Sequence, residues 1–225
     1  MERPFRDRRH AGAFLAARIQ AYANRPNLLI LALPRGGVPV AFEVAQALRA
    51  PLDLFLVRKL GVPGHEELAM GAIASGGVQV LNRDVVDMLH LSPADIDLVA
   101  ARELQELERR ENAYRGDRSP PALAHRTIIL VDDGLATGAS MRAAAEALRR
   151  RDVEKIVVAV PVASSHTCAE IKNLVDDLVC AMTPTHFRAV GQWYQDFDQT
   201  SDDEVRDLLA QANRHAGNAE PSRSI

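Results

Sequence analysis

The chain has 225 residues, of which 47% are hydrophobic and 25% charged, and its formal net charge at pH 7 is −3. This length suits one domain with additions or at most two, and the apolar content is sufficient for a buried core. The slightly acidic balance gives no overall attraction to nucleic acid or to an anionic membrane. The composition therefore argues against a nucleic-acid-binding or membrane-bound protein.

The N-terminal segment and the cysteines indicate the compartment. Residues 1–10 are charged and lack the apolar stretch of a signal peptide, and the longest apolar run, 156–163, is too short to cross a bilayer. Cys168 and Cys180 are too few for a disulfide framework or a zinc site, and we expect ordinary buried thiols in a reducing compartment. These features predict a cytoplasmic protein.

Hydrophobic periodicity predicts helices and strands that alternate along most of the chain. Predicted helices cover residues 8–23, 38–49, 93–114, 141–151 and 164–174, with a last short helix capped by Ser201. Predicted strands cover residues 28–33, 52–57, 78–81, 127–131, 155–160 and 177–181. Segment 58–76 shows no clear period and is expected to be a loop. The alternation predicts an α/β fold with a central, mostly parallel sheet and helices on both faces.

The most informative segment is 127–140, where an apolar strand ends in Asp132 and Asp133 and a loop of small residues leads into a helix. Hydroxyls and free N–H groups at a helix N-terminus suit a phosphate. The two acids suit sugar hydroxyls or a metal-bound sugar. The alternative is a simple Asp-Gly turn between strand and helix. The combination favours a phosphorylated sugar as the ligand.

Residues 131–138, Val-Asp-Asp-Gly-Leu-Ala-Thr-Gly, resemble the 5-phosphoribosyl-1-diphosphate (PRPP) signature of the type I phosphoribosyltransferases, and the adenine-type enzymes most closely. The resemblance covers 28–82 and 127–200 and suggests a bacterial branch with an unidentified acceptor. It implies transfer of 5-phosphoribose from PRPP to a nucleobase-like nitrogen with release of pyrophosphate, as in purine salvage. It also implies Mg²⁺ as cofactor, held mainly through water by Asp132 and Asp133, and a homo-oligomer, most simply a homodimer.

The resemblance also implies roles for particular residues. The 5′-phosphate would bind to loop residues Ala136, Thr137, Gly138, Ala139 and Ser140. The diphosphate would bind to Arg35, Gly36, Gly37, Arg58 and Lys59, although a plain glycine turn and a solvated basic pair are the alternatives. The catalytic residues would be Asp132, Asp133 and a general base, for which we name Glu67 ahead of its neighbours His65 and Glu66.

Aromatic residues make up only 4% of the chain, yet several lie within 184–200, where the family's hood closes over the acceptor base. The predicted acceptor-binding residues are Phe187, Trp193 and Tyr194, whose rings would stack on a planar heterocycle. Sealing of a small hydrophobic subcore is the alternative. Ala136 occupies the place of the acid that enzymes acting on 6-oxopurines carry, which argues against hypoxanthine–guanine chemistry.

The predicted organisation is a single phosphoribosyltransferase domain over 1–215 followed by a disordered tail, 216–225. The domain would consist of a core (25–82 and 127–182), a helical insertion (83–118) and a hood (183–200) completed by the N-terminal segment. The insertion would serve as a flap, an oligomer contact or an acceptor lid. The main alternative function is a regulatory protein that binds PRPP or nucleotide without turnover, and a nucleotide hydrolase or phosphorylase is a third possibility.

Overall fold

The computed structural model describes residues 5–116 and 118–217. Residues 218–225 of the predicted tail lie outside the described residues, whereas residues 216 and 217 belong to the last helix. The strands are β1 (Leu28–Ala32), β2 (Leu52–Leu54), β3 (Val57–Val62), β4 (His65–Ala74), β5 (Val78–Leu81), β6 (Thr127–Val131), β7 (Lys155–Val162) and β8 (Asp177–Met182). The helices are α1 (Arg8–Ala16), α2 (Gly37–Leu48), α3 (Arg83–Met88), α4 (Pro93–Arg115), α5 (Ala139–Arg149), α6 (Ser165–Lys172) and α7 (Asp202–Gly217).

The central sheet confirms the predicted α/β fold. Five parallel strands run in the order β2-β1-β6-β7-β8. Alternate residues of β6 face opposite cores: Ile129 and Val131 pack on the side of α1, α2 and α7, while Ile128 and Leu130 pack on the side of α5 and α6. Burial on both faces explains why these strands read as continuous apolar runs.

A second sheet corrects the prediction that 58–76 is a loop. Strands β3, β4 and β5 form a three-stranded antiparallel sheet, in which β3 and β4 are joined by a turn at Gly64 with a φ of +76°. Leu60 and Val62 are buried on its inner face, but the β3–β4 register shifts at Leu60/Gly61 and Gly61/Val62. These irregularities break the two-residue period and hide the strands from pattern analysis.

Two predicted elements are shorter than expected. Helix α1 ends at Ala16 and is followed by a 3₁₀ turn over Gln20–Tyr22, because i→i+3 bonds replace the α-helical pattern. Strand β2 ends at Leu54, whose carbonyl accepts a hydrogen bond from Arg115 of α4 at 2.9 Å. The apolar residues after β2 are therefore buried without continuing in the central sheet.

The pairing of the two cysteines differs from the prediction. Cys168 of α6 and Cys180 of β8 form a disulfide, which corrects the expectation of separate thiols, because α6 packs against β8 and brings the two residues together.

Helix α4 begins as predicted, with the Ser92 hydroxyl accepting from the Asp95 N–H at 3.2 Å. Within the described ranges, no helix is both long and apolar enough to cross a membrane.

Candidate active site

Asp132 and Asp133 follow β6 at the carboxyl edge of the central sheet. Strands β1 and β6 pair in parallel register, so the turn after β1 lies beside the acids. A Cβ on Gly36 would overlap Asp133 Oδ2, and a Cβ on Gly37 would lie 2.7 Å from the Val131 carbonyl oxygen. Glycine is needed at both positions for the two strand ends to approach each other this closely.

The loop of residues 134–140 connects β6 to the N-terminus of α5. The buried Thr167 hydroxyl of α6 donates to the Ala136 carbonyl at 2.7 Å and holds the loop from behind. Among the described residues, the loop's backbone N–H groups from Ala136 onward find no hydrogen-bond acceptor, and neither do the hydroxyls of Thr137 and Ser140. A set of free donors at a helix N-terminus is suited to binding a phosphate.

Gly138 fixes the shape of this loop. Its φ is +69°, and an added Cβ would lie 2.7 Å from Thr167 Cγ2. We expect Gly138→Ala to lower the free energy of unfolding by about 1–2 kcal/mol and to weaken binding of PRPP, the ligand that the sequence predicts for this loop, because both the left-handed backbone and the contact with α6 would be disturbed. Denaturant unfolding and calorimetric titration would measure the two effects.

The matched control for this substitution is Gly64→Ala on the β3–β4 turn. Gly64 has a similar φ of +76°, but no heavy atom lies within 4 Å of its added Cβ. Gly64→Ala therefore isolates the backbone strain, and the additional loss in Gly138→Ala measures the contact with Thr167. This account of the loop would be contradicted if Gly138→Ala lowered the free energy of unfolding no more than Gly64→Ala does and left the PRPP affinity unchanged.

Arg8 of α1 offsets the charge of the acid pair. Its Nε donates to Asp133 Oδ2 at 2.8 Å, its Nη1 donates to the Asp198 carbonyl at 2.7 Å, and its guanidinium lies 3.9 Å from the Phe197 ring centroid. The Tyr194 hydroxyl donates to the Asp133 backbone carbonyl at 2.6 Å. The side chains of Arg8 and Asp133 are only 12% and 15% exposed, so this ion pair is nearly buried.

Protonation of the two acids is favoured by their surroundings. Burial raises the pKa of Asp132 well above its usual range, and the negative charge of Asp133 raises it further. Burial also raises the pKa of Asp133, while the hydrogen bond and charge of Arg8 oppose that rise. One arginine thus compensates two neighbouring carboxyl groups only in part, and the pair binds a proton or an additional cation readily.

A cleft opens between the carboxyl ends of β1, β2 and β6 and the C-terminal half of α4. Its lining includes Arg35, Arg58, Arg110, Asp132 and Ser140. The cleft therefore brings together members of all three groups that the sequence assigned to the phosphate, the ribose and the diphosphate. It also includes an arginine from the predicted insertion, for which the sequence suggested no binding role.

The other predicted site residues lie outside this lining. Lys59 and Glu67 pair at 3.5 Å on the β3–β4 hairpin, where both side chains are exposed. Tyr194 is 6% exposed, and Phe187 and Trp193 pack partly buried around it in a small aromatic cluster near the N-terminal segment. The hydroxyl of Tyr194 is thereby used to hold the backbone of Asp133.

Sequence reasoning missed several residues of the site because their partners are distant in the chain. Arg8 and Asp133 are separated by 125 residues, and no local motif indicates that they meet. Arg58 Nε donates to Glu103 Oε2 of α4 at 2.6 Å, and Arg110 reaches the cleft from the same helix. A heavily charged helix is usually a solvated surface, so its sequence gave no signal of this role.

The donor set of the cleft fits Mg²⁺ only as an ion shared with a substrate. Within the described ranges, no group of three or more His, Cys, Asp or Glu side chains could hold a metal ion. Asp132 Oδ1 accepts the Asp133 N–H and Asp133 Oδ2 accepts from Arg8, which leaves one oxygen of each carboxylate without such a bond. Mg²⁺ prefers oxygen ligands and commonly combines one or two carboxylates with substrate phosphates and water.

A five-stranded parallel sheet, a small antiparallel sheet and an acid pair before an open helix N-terminus define a type I phosphoribosyltransferase fold. The chain belongs to the phosphoribosyl transferase domain family, whose model matches residues 7–198. This match confirms the family that the signature indicated. It extends over the predicted insertion, α3 and α4, as well as the core.

Comparisons with individual proteins agree with the family. The chain is 48% identical over 210 residues to "Putative phosphoribosyl transferase Rv0571c" of Mycobacterium tuberculosis H37Rv, and equally to its counterpart MT0597 of strain CDC 1551. These alignments cover 93% of the chain but 47% of each relative, so the chain spans about half the length of these curated relatives.

A solved structure also resembles most of the chain. The crystal structure of TT1426 from Thermus thermophilus superimposes with a TM-score of 0.82 at 41% sequence identity. The match covers 92% of this chain and 98% of TT1426. The fold is therefore shared over nearly the full length of that protein.

Proposed function

We propose that the protein transfers 5-phosphoribose from PRPP to a nitrogen of a nucleobase-like acceptor and releases pyrophosphate. The observation that carries the proposal is the meeting of Asp132, the open loop ending at Ser140, and two arginines, Arg35 and Arg58, in one cleft. A phosphorylated sugar with a diphosphate substituent needs a phosphate site, acceptors for its hydroxyls and cations for its diphosphate. Membership of the phosphoribosyl transferase domain family supports the same assignment.

Each group of residues has a definite task in this reaction. The loop N–H groups and the hydroxyls of Thr137 and Ser140 bind the 5′-phosphate and fix the ribose over the acids. Asp132 and Asp133 accept hydrogen bonds from the ribose hydroxyls, and their negative charge stabilises the positive charge that develops on the ribose as the anomeric bond to pyrophosphate breaks. Arg35 and Arg58 hold the departing diphosphate through charge-assisted hydrogen bonds.

The mobile part of the site is proposed to be the β3–β4 hairpin. Closure of residues 60–75 would exclude water, which otherwise hydrolyses PRPP, and would carry Glu67 toward the acceptor. Lys59, which directly precedes this segment, would bind the diphosphate. Mg²⁺ bound with PRPP would add charge neutralisation of the leaving pyrophosphate. Phe187 and Trp193 border the acceptor in this proposal, while Tyr194 supports Asp133 from behind.

Calorimetric titration with PRPP, in the presence and absence of Mg²⁺, tests the proposal directly. We expect metal-dependent binding that Asp132→Ala/Asp133→Ala abolishes, because the acids contact both the ribose and the metal. A screen of nucleobases by pyrophosphate release would then identify the acceptor. Loss of binding in the double variant with a retained unfolding transition would assign the acids to ligand binding and not to the fold.

Three other results would contradict the transferase. Absence of PRPP binding under both conditions would mean that the fold retains the shape of the signature without its ligand. PRPP binding without turnover for any nitrogen heterocycle would favour the regulatory alternative. Turnover with water or phosphate as acceptor would instead indicate a hydrolase or phosphorylase.

A further inference from the structure

Helix α4 is a fixed wall of the cleft and not a loosely attached flap. Arg115 near its end is 6% exposed as a side chain and donates to Asp53 Oδ1 at 2.7 Å and to the Leu54 carbonyl at 2.9 Å. It also pairs with Glu111 at 3.3 Å. Because these contacts are nearly buried, they hold the C-terminal half of α4 against the end of β2.

The C-terminal half of α4 places arginine side chains beside the cleft. A recess adjoining the cleft is lined by Arg35, Arg109, Arg110, Ala113, Tyr114 and Asp202. Arg35, Arg110 and Tyr114 also line the cleft itself, so the two spaces are neighbours with shared walls. We call this space the arginine recess.

A carboxylate of the protein already lies at the rim of the arginine recess. Asp202, the first residue of α7, accepts a hydrogen bond from the Tyr114 hydroxyl at 2.7 Å and lies 3.4 Å from Arg35 Nη1. Its side chain is 57% exposed, so little packing holds it there. The hydrogen bond from Tyr114 and the charges of Arg35 and Arg110 lower the pKa of Asp202, which shows that the recess favours a negative charge.

The remaining charges leave donors available. Glu106 accepts from Arg109 Nε and Nη2 at 2.7 and 3.0 Å and from Arg110 Nε at 2.8 Å. Three arginines thus face two carboxylates, and within the described residues Arg110 is engaged through only one of its nitrogens. A guanidinium has five N–H donors, so a further carboxylate can be bound without displacing Glu106.

We propose that the arginine recess binds a carboxylate group of the acceptor substrate, so that the acceptor is a nitrogen heterocycle carrying an acidic substituent. This inference rests on the transferase function proposed above. Asp202 fills the carboxylate position in the free protein and moves aside when the acceptor binds. Because the Asp202 side chain is largely exposed, little packing is lost in that exchange. The buried Tyr114 on the fixed helix α4 sets the position at which the carboxylate is bound.

The test compares pairs of heterocycles that differ in their carboxylate. Nicotinate and nicotinamide, and orotate and uracil, are titrated calorimetrically into the protein with Mg²⁺ and pyrophosphate present, so that the diphosphate groups are occupied and no phosphoribose can be transferred. We expect at least one carboxylate to bind about tenfold or more tightly than its uncharged partner, the effect of a single charge-assisted contact.

Variants with opposite expected effects sharpen the test. Arg110→Gln should abolish the preference for the carboxylate, whereas Asp202→Asn should strengthen carboxylate binding several-fold and leave the uncharged partners unchanged. Arg149→Gln, which removes an ion pair with Asp176 at the C-terminal end of α5, serves as the control and should change neither affinity. A general loss of structure would not weaken carboxylate binding in the Arg110 variant and strengthen it in the Asp202 variant.

The proposal is overturned if the paired heterocycles bind equally, if neither carboxylate binds, or if Arg110→Gln weakens PRPP as much as the carboxylate. The last result would assign the arginines to PRPP. Separate titration with PRPP distinguishes the two proposals: absence of PRPP binding with retained carboxylate preference would contradict the transferase and leave the arginine recess as a carboxylate site without an acceptor role. Retained PRPP binding without carboxylate preference would contradict the arginine recess alone.

Discussion

Asp132→Asn is expected to lower turnover with PRPP at least about a hundredfold while raising the temperature of thermal unfolding. In the proposed reaction, the loss of rate follows from removing a negative charge that would face the developing positive charge of the ribose. The gain in stability follows because the carboxyl is buried beside Asp133, and its charged form destabilises the folded state. Asparagine retains the oxygen that accepts the Asp133 N–H at 2.8 Å, so the local geometry is preserved.

The gain in stability has a predictable pH dependence. Because burial and Asp133 raise the pKa of Asp132, the folded protein binds this proton more tightly than the unfolded chain does. The contribution of Asp132 to stability is therefore fully present below the unfolded pKa, near 4, and is lost as pH rises through the folded pKa. Asp132→Asn should thus stabilise the protein clearly at pH 7 and little at pH 4.

Thermal unfolding of both proteins between pH 4 and pH 8, with pyrophosphate release measured in parallel, checks this prediction. A rise of about 3 °C at pH 7 corresponds to roughly 1 kcal/mol in a domain of this size. A lowered unfolding temperature at pH 7 would mean that Asp132 is needed for the fold. Unchanged turnover with raised stability would remove Asp132 from the catalytic site.

The elements predicted correctly are those whose signals are local. The β6–α5 unit combines an apolar run, an acid pair and small loop residues within fourteen positions, 127–140. Its structure could therefore be predicted without knowledge of its contacts with other segments. Helix α4 could be read equally well, from Ser92 and Pro93 at its start. Such signals come from capping residues and apolar runs, both of which lie within the segment itself.

The features that the sequence did not reveal depend on contacts between distant segments. The β3–β4 hairpin was hidden by register shifts near Gly61, and the disulfide required α6 to be placed beside β8. Arg110 belongs to a charged stretch whose residues are mostly exposed, and Arg8 lies among charged residues that are exposed or half-buried, so a charge alone does not identify a site residue. The acid pair was predictable from sequence, whereas the cation that compensates it was not.

Arg8→Gln is expected to destabilise the protein by about 3 kcal/mol, because it leaves the charge of Asp133 buried beside Asp132 without a compensating cation. In a domain of this size that loss lowers the unfolding temperature by roughly 6–12 °C. The loss should shrink toward pH 4, where both carboxyl groups become protonated and no longer need a cation. Denaturant and thermal unfolding at pH 7 and pH 4 measure these changes.

The neighbouring Arg9 provides the matched control. Arg9 pairs with Glu43 at 2.6 Å, but its side chain is 55% exposed, whereas that of Arg8 is 12% exposed. Arg9→Gln should therefore change stability by less than about 1 kcal/mol, as is usual for an exposed ion pair. Comparable losses in the two variants would mean that the α1 segment, and not the charge of the acid pair, determines the effect.

A double-mutant cycle isolates the interaction between Arg8 and Asp133. Asp133→Asn alone removes the partner of a nearly buried arginine, so it should also destabilise, in contrast to Asp132→Asn. In Arg8→Gln/Asp133→Asn no full charge is left unpaired between the two residues, and the double variant should be more stable than the sum of the single losses predicts. If the losses of stability were additive, Arg8 and Asp133 would not be directly coupled. Another group would then have to compensate the charge of the acid pair.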